Sequence, residues 1–361
     1  LLKVYLLNAN HFLERIVGNN PSTQPKIDKI NWQPIVKVYQ GSDIKRSLWQ
    51  VFNSLIPYII LWYLMYRSLE ISYWLTLALA IPAVGFYVRT FIIFHDCGHG
   101  SFFSSKKANT ILGYITGVIT FTPYHQWRHD HAIHHATAGD LDRRGVGDVL
   151  TLTVDEYLEL PFWKRLRYRL YRNPLVLLLL GPPLMFVVGY RFSNPTSGRR
   201  ERMSVYWTNM ALLAIVVGLS WVIGIKAYLL VQLPIVMIAT AVGVWLFYVQ
   251  HNFEGAYWVR HEQWDYANAG LKGSSYYELP KVLQWFTGNI GFHHIHHLSP
   301  LIPNYHLERC QKENTIFQQV KPLTLSSSLK SLTLRLWDEK GGKMVGYGYL
   351  KILKQRESLL S

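Results

Sequence analysis

Four stretches of this chain lack formal charge for long enough to cross a membrane, and no other feature limits the choice of fold so strongly. Residues 47–66 run for 20 positions without a charge, 71–88 for 18, 203–225 for 23 and 227–250 for 24. At about 1.5 Å per helical residue each approaches the hydrocarbon thickness of about 30 Å. Inside hydrocarbon a segment must satisfy its own backbone N–H and C=O groups, so these runs are read as helices. Arg67 and Glu70 mark a turn between the first two, and Lys226 between the last two. The expected fold is an all-α integral membrane protein with two transmembrane helical hairpins, spans at about 47–66, 71–94, 203–225 and 227–250. Composition agrees, with 50% hydrophobic, 14% aromatic and only 16% charged residues.

Charge sets the expected sidedness. Lys and Arg crowd the lead-in, the 95–202 region and the tail, while each short turn holds one basic residue. The positive-inside rule then places both termini and the intervening histidines in the cytoplasm. A net charge of +15 suits anionic lipid and an acidic electron donor. Leu1 to Ile16 carries Lys3, His11, Glu14 and Arg15 and does not read as a secretory signal. Residues 1–46 read as a cytosolic lead-in, made irregular by Pro21, Pro25 and Pro34. Cys97 and Cys310 are too few for a disulfide scaffold and read as free thiols.

The chemistry lies in the histidines. His293, His296 and His297 stand at i, i+3 and i+4, so a helix presents all three on one face at metal-ligand separation. His131, His134 and His135 repeat that spacing, and His95 and His99 form an i, i+4 pair. If the second span continues past Arg89, whose long stem can snorkel, it delivers His95 and His99 just beyond the membrane. An isolated histidine in an apolar chain is usually structural. Eight in matched clusters are different, because each buried imidazole without a partner costs about 1 to 3 kcal/mol. Together they would exceed a typical stability of about 5 to 15 kcal/mol. Three patches also exceed what one tetrahedral zinc can take, and suit two iron ions in an all-nitrogen shell.

Two other apolar stretches compete as spans, 111–123 and 174–190, the second interrupted by Gly181-Pro182-Pro183. A crossing at either place would divide the histidine clusters between the two faces of the bilayer. Both are therefore expected to be interfacial or re-entrant. Between them, the basic and apolar run from Lys164 to Arg172 reads as a helix lying on lipid headgroups rather than as a docking patch. Nucleic acid is not expected as a partner of a chain with four hydrophobic spans.

These residues also carry a family resemblance. His95-Asp96-Cys97-Gly98-His99-Gly100-Ser101, Trp127 to His135, and residues 293–297 followed by Ile302-Pro303-Asn304-Tyr305 resemble the three histidine boxes of membrane fatty acid desaturases. The resemblance covers roughly 45–315. It implies a four-helix membrane domain over 47–315, capped by cytosolic helices that bear the boxes, with two Fe ions, O2 as co-substrate and two electrons used to dehydrogenate an acyl chain. The implied partners are a membrane lipid acyl chain and a separate electron donor, ferredoxin or cytochrome b5. The boxes are most similar to those of the bacterial and plastid acyl-lipid group that includes delta-12 (omega-6) desaturases. A member of that group that introduces the first double bond, such as a delta-5 type, fits the boxes equally.

The expected metal ligands are His95, His99, His131, His134, His135, His293, His296 and His297, with His251 as a ninth at the end of the fourth span. His125, His129, His261, His294 and His306 fall off the spacing and read as solvated or supporting residues. Asp130, Asp140, Asp142, Asp148, Glu254 and Asp265 are candidate acceptors for the second ring nitrogens. Residues 316–361 read as a small cytosolic appendage in which Leu332 to Trp337 alternates and Gly341-Gly342 offers a hairpin turn. Alternative functions are a related diiron hydroxylase or carotenoid oxygenase and, in a different class, a zinc-binding or zinc-transporting membrane protein.

Overall fold

The computed structural model describes residues 31–360, and the expectations for positions 1–30 lie outside that part. Helices α1 (Ile44–Ser68) and α2 (Tyr73–His99) pack side by side. After them come α3 (Lys106–Ile119), α4 (Tyr124–Thr137) and α5 (Phe162–Tyr171). A second pair, α6 (Arg199–Ile223) and α7 (Ile225–His251), is followed by the short helices α8 (Tyr266–Gly273), α9 (His293–Leu298) and α10 (Asn304–Glu313). The helices long and apolar enough to cross a membrane are α1, α2, α6 and α7, at the places expected from the charge-free runs.

Lipid tails are as apolar as leucine, so helices in a bilayer associate through close packing and hydrogen bonds rather than through the hydrophobic effect. The contacts between the spans have that character. Ala80 and Ala83 on α2 are fully buried and admit close neighbours, while Tyr58, Met65, Val84, Tyr87 and Ile235 fill the space between α1, α2 and α7. Ser68 and Thr76 hydroxyls meet at 2.7 Å, and Trp62 Nε1 donates to Gln232 Oε1 at 2.9 Å. Helix α2 is central: 56% of its apolar window is buried against protein, compared with 11% for α6, which faces lipid.

Arg89 corrects one expectation. It does not snorkel to water; it is 7% exposed, donates to the Trp285 carbonyl, and lies 3.9 Å from the centroid of the Trp285 ring. A carbonyl and an aromatic face receive the guanidinium inside the protein, while its Nε stays unpartnered.

Helix α5 and the segment Val176–Arg191 meet at 58°. Parity decides how they sit. Nε2 of His135 lies 3.1 Å from Nε2 of His296, so the chain between them crosses the bilayer an even number of times. Helices α6 and α7 supply two crossings; a third across 162–191 would separate those histidines. The bent segment therefore enters and leaves on one side. On α5, Phe162, Trp163 and Leu170 are exposed among basic residues, as a helix lying at the interface requires. Arg172, the last residue of the run assigned to headgroups, is instead fully buried.

The tail forms the hairpin that its alternation suggested, β4 (Leu336–Asp338) against β5 (Lys343–Val345), after the two-residue strands β1 (Leu152–Thr153), β2 (Tyr276–Tyr277) and β3 (Pro322–Leu323). The hairpin does not stand apart. Strand β4 pairs in parallel with β1, β3 pairs with β2, and all residues from Gln33 on form one compact unit. Both of its faces are the reason: Leu336 and Val345 pack with Val154 and Tyr157 on one, and Trp337 and Met344 with Trp258 on the other.

The arrangement predicts which positions share a face of the membrane. Cysteines introduced by Glu70→Cys and Lys226→Cys are expected to react with an impermeant maleimide from one side of sealed vesicles, and those from His129→Cys and Lys340→Cys from the other. Labelling of positions 226 and 129 from the same side would refute the hairpins.

Candidate metal centre

Each expected ligand is carried on a short helix or within the last two turns of a longer one. Gly100 takes a left-handed conformation (φ 75) that ends α2 directly after His99, so His95 and His99 project from the last turn. Gly98 allows Trp127 close to that turn, since a Cβ there would stand 2.8 Å from the indole. Trp127, one helical turn before His131, stacks on its ring at 4.3 Å and 20°. Helix α9 opens at His293, which fixes the third cluster as one short helical face.

The imidazoles converge into two groups. Ligand nitrogens of His95, His99, His131, His135 and His296 lie within 4.8 Å of one another, and so do those of His134, His251 and His297. His293 joins the second group, its Nε2 2.9 Å from that of His251. All nine histidines chosen from sequence thus fall in the two groups. The i, i+4 pair of α4, His131 and His135, faces the first group while His134 faces the second. Helix α9 does the reverse, sending His293 and His297 to the second group and His296 to the first. His135 and His297 stack between the groups at 4.0 Å and 11°.

The ring nitrogens do not satisfy one another. Nε2 of His131 is 3.1 Å from that of His95 and 3.2 Å from that of His135, and Nε2 of His135 is 3.1 Å from that of His296. A ring nitrogen holds either one proton or one lone pair, so it can serve only one of two such neighbours. Nε2 of His99 and of His297 is buried without any partner. A cation at each focus would accept these lone pairs together, so the donor set fits metal ions. Five nitrogens in the first group exceed the four of a tetrahedral zinc site. Burial holds His131, His134, His135, His293, His296 and His297 well below their ordinary value of 6.5, which keeps them neutral and able to ligate.

The supporting groups differ from those expected. None of the six proposed carboxylates reaches a clustered histidine. Asp130 binds Asn194, Asp140 binds Arg143 and His261, Asp142 binds Arg260, Asp148 accepts from the Gly145 N–H, Glu254 binds Lys330, and Asp265 caps α8. Asp96 takes the role instead. Its Oδ1 lies 3.2 Å from His95 Nδ1, and its Oδ2 accepts from the Asn304 N–H at 2.7 Å and Asn304 Nδ2 at 2.8 Å. The signal was available, since Asp96 sits inside the first cluster and Asn304 inside the segment after the third. Among the off-spacing histidines, His129 is exposed, His261 pairs with Asp140, and Arg200 Nε lies 3.2 Å from His125 Nε2. His306 is half-buried, and burial with the charges of Arg46 and Arg309 lowers its pKa. His294 is fully buried beside Gln311 Oε1 at 3.0 Å and is pushed down to about 4 by burial.

Spanning helices whose ends carry a shared histidine centre define an integral membrane protein of the histidine-box kind. The family follows from comparison with known proteins. The fatty acid desaturase model matches residues 72–321, and the chain belongs to that family of oxidoreductases. It is 49% identical over 316 residues to a fatty acid desaturase of Bacillus subtilis (strain 168), covering 88% of this chain and 90% of that one. It is 32% identical over 243 residues to a chloroplastic omega-3 fatty acid desaturase of Sesamum indicum, covering 60% and 50%. It is also 31% identical over 265 residues to a chloroplastic sn-2 acyl-lipid omega-3 desaturase (ferredoxin) of Helianthus annuus, covering 66% and 55%. The chain thus spans about half the length of these plant relatives.

Two predictions follow from the geometry. Unfolded histidines take up protons as pH falls through about 6.5, whereas the six buried ones do not. The metal-free chain should therefore hold a stability plateau above that pH and lose thermal stability between about pH 6.5 and 5; a flat profile would show that the imidazoles are solvated. Asp96→Ala, which removes the acceptor shared by His95 and Asn304, should weaken metal binding about 10- to 100-fold in chelator competition.

Proposed function

We propose that the protein is an O2-dependent diiron desaturase that introduces a cis double bond into a lipid-linked acyl chain, with delta-12 (omega-6)-like placement. The observation that carries this reading is the pair of histidine groups, nine imidazoles with five nitrogens at one focus and four at the other. In the first, His95, His99, His131, His135 and His296 would hold one iron; in the second, His134, His251, His293 and His297 would hold the other. Neutral nitrogen ligands add no negative charge, which suits a centre that supplies the strong oxidant needed to attack an unactivated C–H bond.

The remaining work falls to the chain. The reaction converts –CH2–CH2– with O2, two electrons and two protons into –CH=CH– and two waters, so position and dryness matter more than acid–base groups. Both groups sit at the ends of α2 and α7, where an acyl chain leaving the bilayer meets protein. Trp127 and Asp96 fix the rings of His131 and His95. A separate donor, ferredoxin or cytochrome b5, would supply the electrons; the Helianthus annuus relative, whose name specifies ferredoxin, supports the first. The concentration of Lys and Arg on the histidine side supports a cytoplasmic centre with cytoplasmic termini.

Expression in a host of known lipid composition, followed by mass spectrometry with double-bond location, is the test. A new cis double bond in lipid acyl chains is expected from the natural chain and none from His99→Ala or His297→Ala. A hydroxyl or keto product would replace desaturation by the related oxygenase reading. About two irons per purified chain are expected, and zinc in their place that iron cannot displace would overturn the diiron centre.

A further inference from the structure

One buried cation stands apart from the histidines and their immediate supports. Arg172 ends α5, is 0% exposed, and is among the largest fully buried side chains. Its partners are neutral. Nη1 donates to the Leu150 carbonyl and Thr151 Oγ1, both at 3.3 Å. Nη2 donates to Asn252 Oδ1 at 2.7 Å, the Leu334 carbonyl at 3.1 Å and the Tyr248 hydroxyl at 3.4 Å. Nε is buried without a partner. Burying a guanidinium without a counter-ion is strongly unfavourable, so the site gains something other than stability from the charge.

Those partners lie around one ligand. Asn252 follows His251 directly and caps α7, and Tyr248 lies one turn before Asn252. Asn252 Nδ2 donates to the Tyr248 hydroxyl at 2.9 Å, and that hydroxyl donates to the Ser331 carbonyl at 2.9 Å. Thr151, Tyr248 and Asn252 line the same pocket as His134 and His251. His251 is the one ligand outside the three clusters. It sits on the last residue of a helix, where fraying would move it. The first group is braced by Asp96; in the second, a hydrogen bond to the Gly273 backbone meets the His251 ring directly, and the network through Arg172 holds the helix end that carries it.

We propose that Arg172 is a positioning residue for the second metal site, and that through it the tail segment 331–334 belongs to the metal-binding apparatus. The guanidinium fastens the end of α7 to the 150–151 loop and to the tail, which holds His251 at its distance from His134 and His293. The inference rests on the two-ion reading of the centre and adds a dependence of one ion on the C-terminal segment.

The test uses the full-length protein in detergent, stripped of metal and titrated with Fe(II) alone under anaerobic conditions. The natural chain should bind two ions. Arg172→Met should keep the first at unchanged affinity and bind the second about tenfold or more weakly. Arg172→Lys should recover part of the loss, because it restores the charge but not the planar fork. Tyr248→Phe, which removes one hydroxyl and little volume, should weaken the second ion alone, and it decides the matter if Arg172→Met does not fold. Loss of both ions together in Tyr248→Phe and Arg172→Met, or retention of both, would overturn the proposal. A natural chain that binds fewer than two ions would instead overturn the two-ion reading.

Discussion

Neutral imidazole nitrogens forced within about 3 Å of one another are the constraint on which this structure depends. Such nitrogens cannot all donate and accept in turn, and burial denies them the protons that would let water or a carboxylate relieve them. The fold keeps them together because each is carried by a helix whose position is set by packing elsewhere. Helix α2 is held between α1 and α7, α4 is held on α2 through Trp127 and the close approach at Gly98, and α10, which follows α9, is held on α2 by Asn304 on Asp96. Left to themselves these nitrogens are poorly satisfied; a cation at each focus would take up their lone pairs together.

Assembly in lipid explains the kind of contact that does the holding. Apolar side chains gain little by leaving hydrocarbon for one another, so specific polar links stand between the helices. Ser68 with Thr76 and Trp62 with Gln232 tie the spans, Arg89 on Trp285 ties α2 to the cap, and Arg172 ties α7 to the tail. Ser68 and Thr76 close one hairpin turn, whereas the other links span elements 162 to 196 residues apart, so they are made only when the topology is correct.

That distance also separates what could be read from the sequence from what could not. Charge-free length located the four spans to within a few residues, because membrane thickness is a one-dimensional constraint. The i, i+3, i+4 spacing located the histidines that cluster, because helix geometry is local. Nothing local marks Arg89 as buried rather than snorkelling, or Arg172 as interior rather than the last residue of a headgroup-facing run; their partners lie 196 and up to 162 residues away. Six carboxylates near the boxes were plausible acceptors for the ring nitrogens, but all are engaged elsewhere. The one that reaches His95 is its own neighbour, held in place by a residue 208 positions later. The tail read as an appendage because its alternation shows a hairpin but not the two-residue strand at 152–153 that the hairpin needs.

The division of each histidine triplet between the two groups has a consequence for how such a centre can change. Helices α4 and α9 each contribute to both foci, two rings to one and a single ring to the other, in opposite senses. Each is thus a ruler whose pitch sets the spacing between the foci. Turning either helix, or adding a residue within it, would mistune both foci at once and in opposing directions. Change within this architecture is therefore tolerated more readily in the loops, lipid-facing surfaces and tail than in the pitch that sets the interval between the two foci.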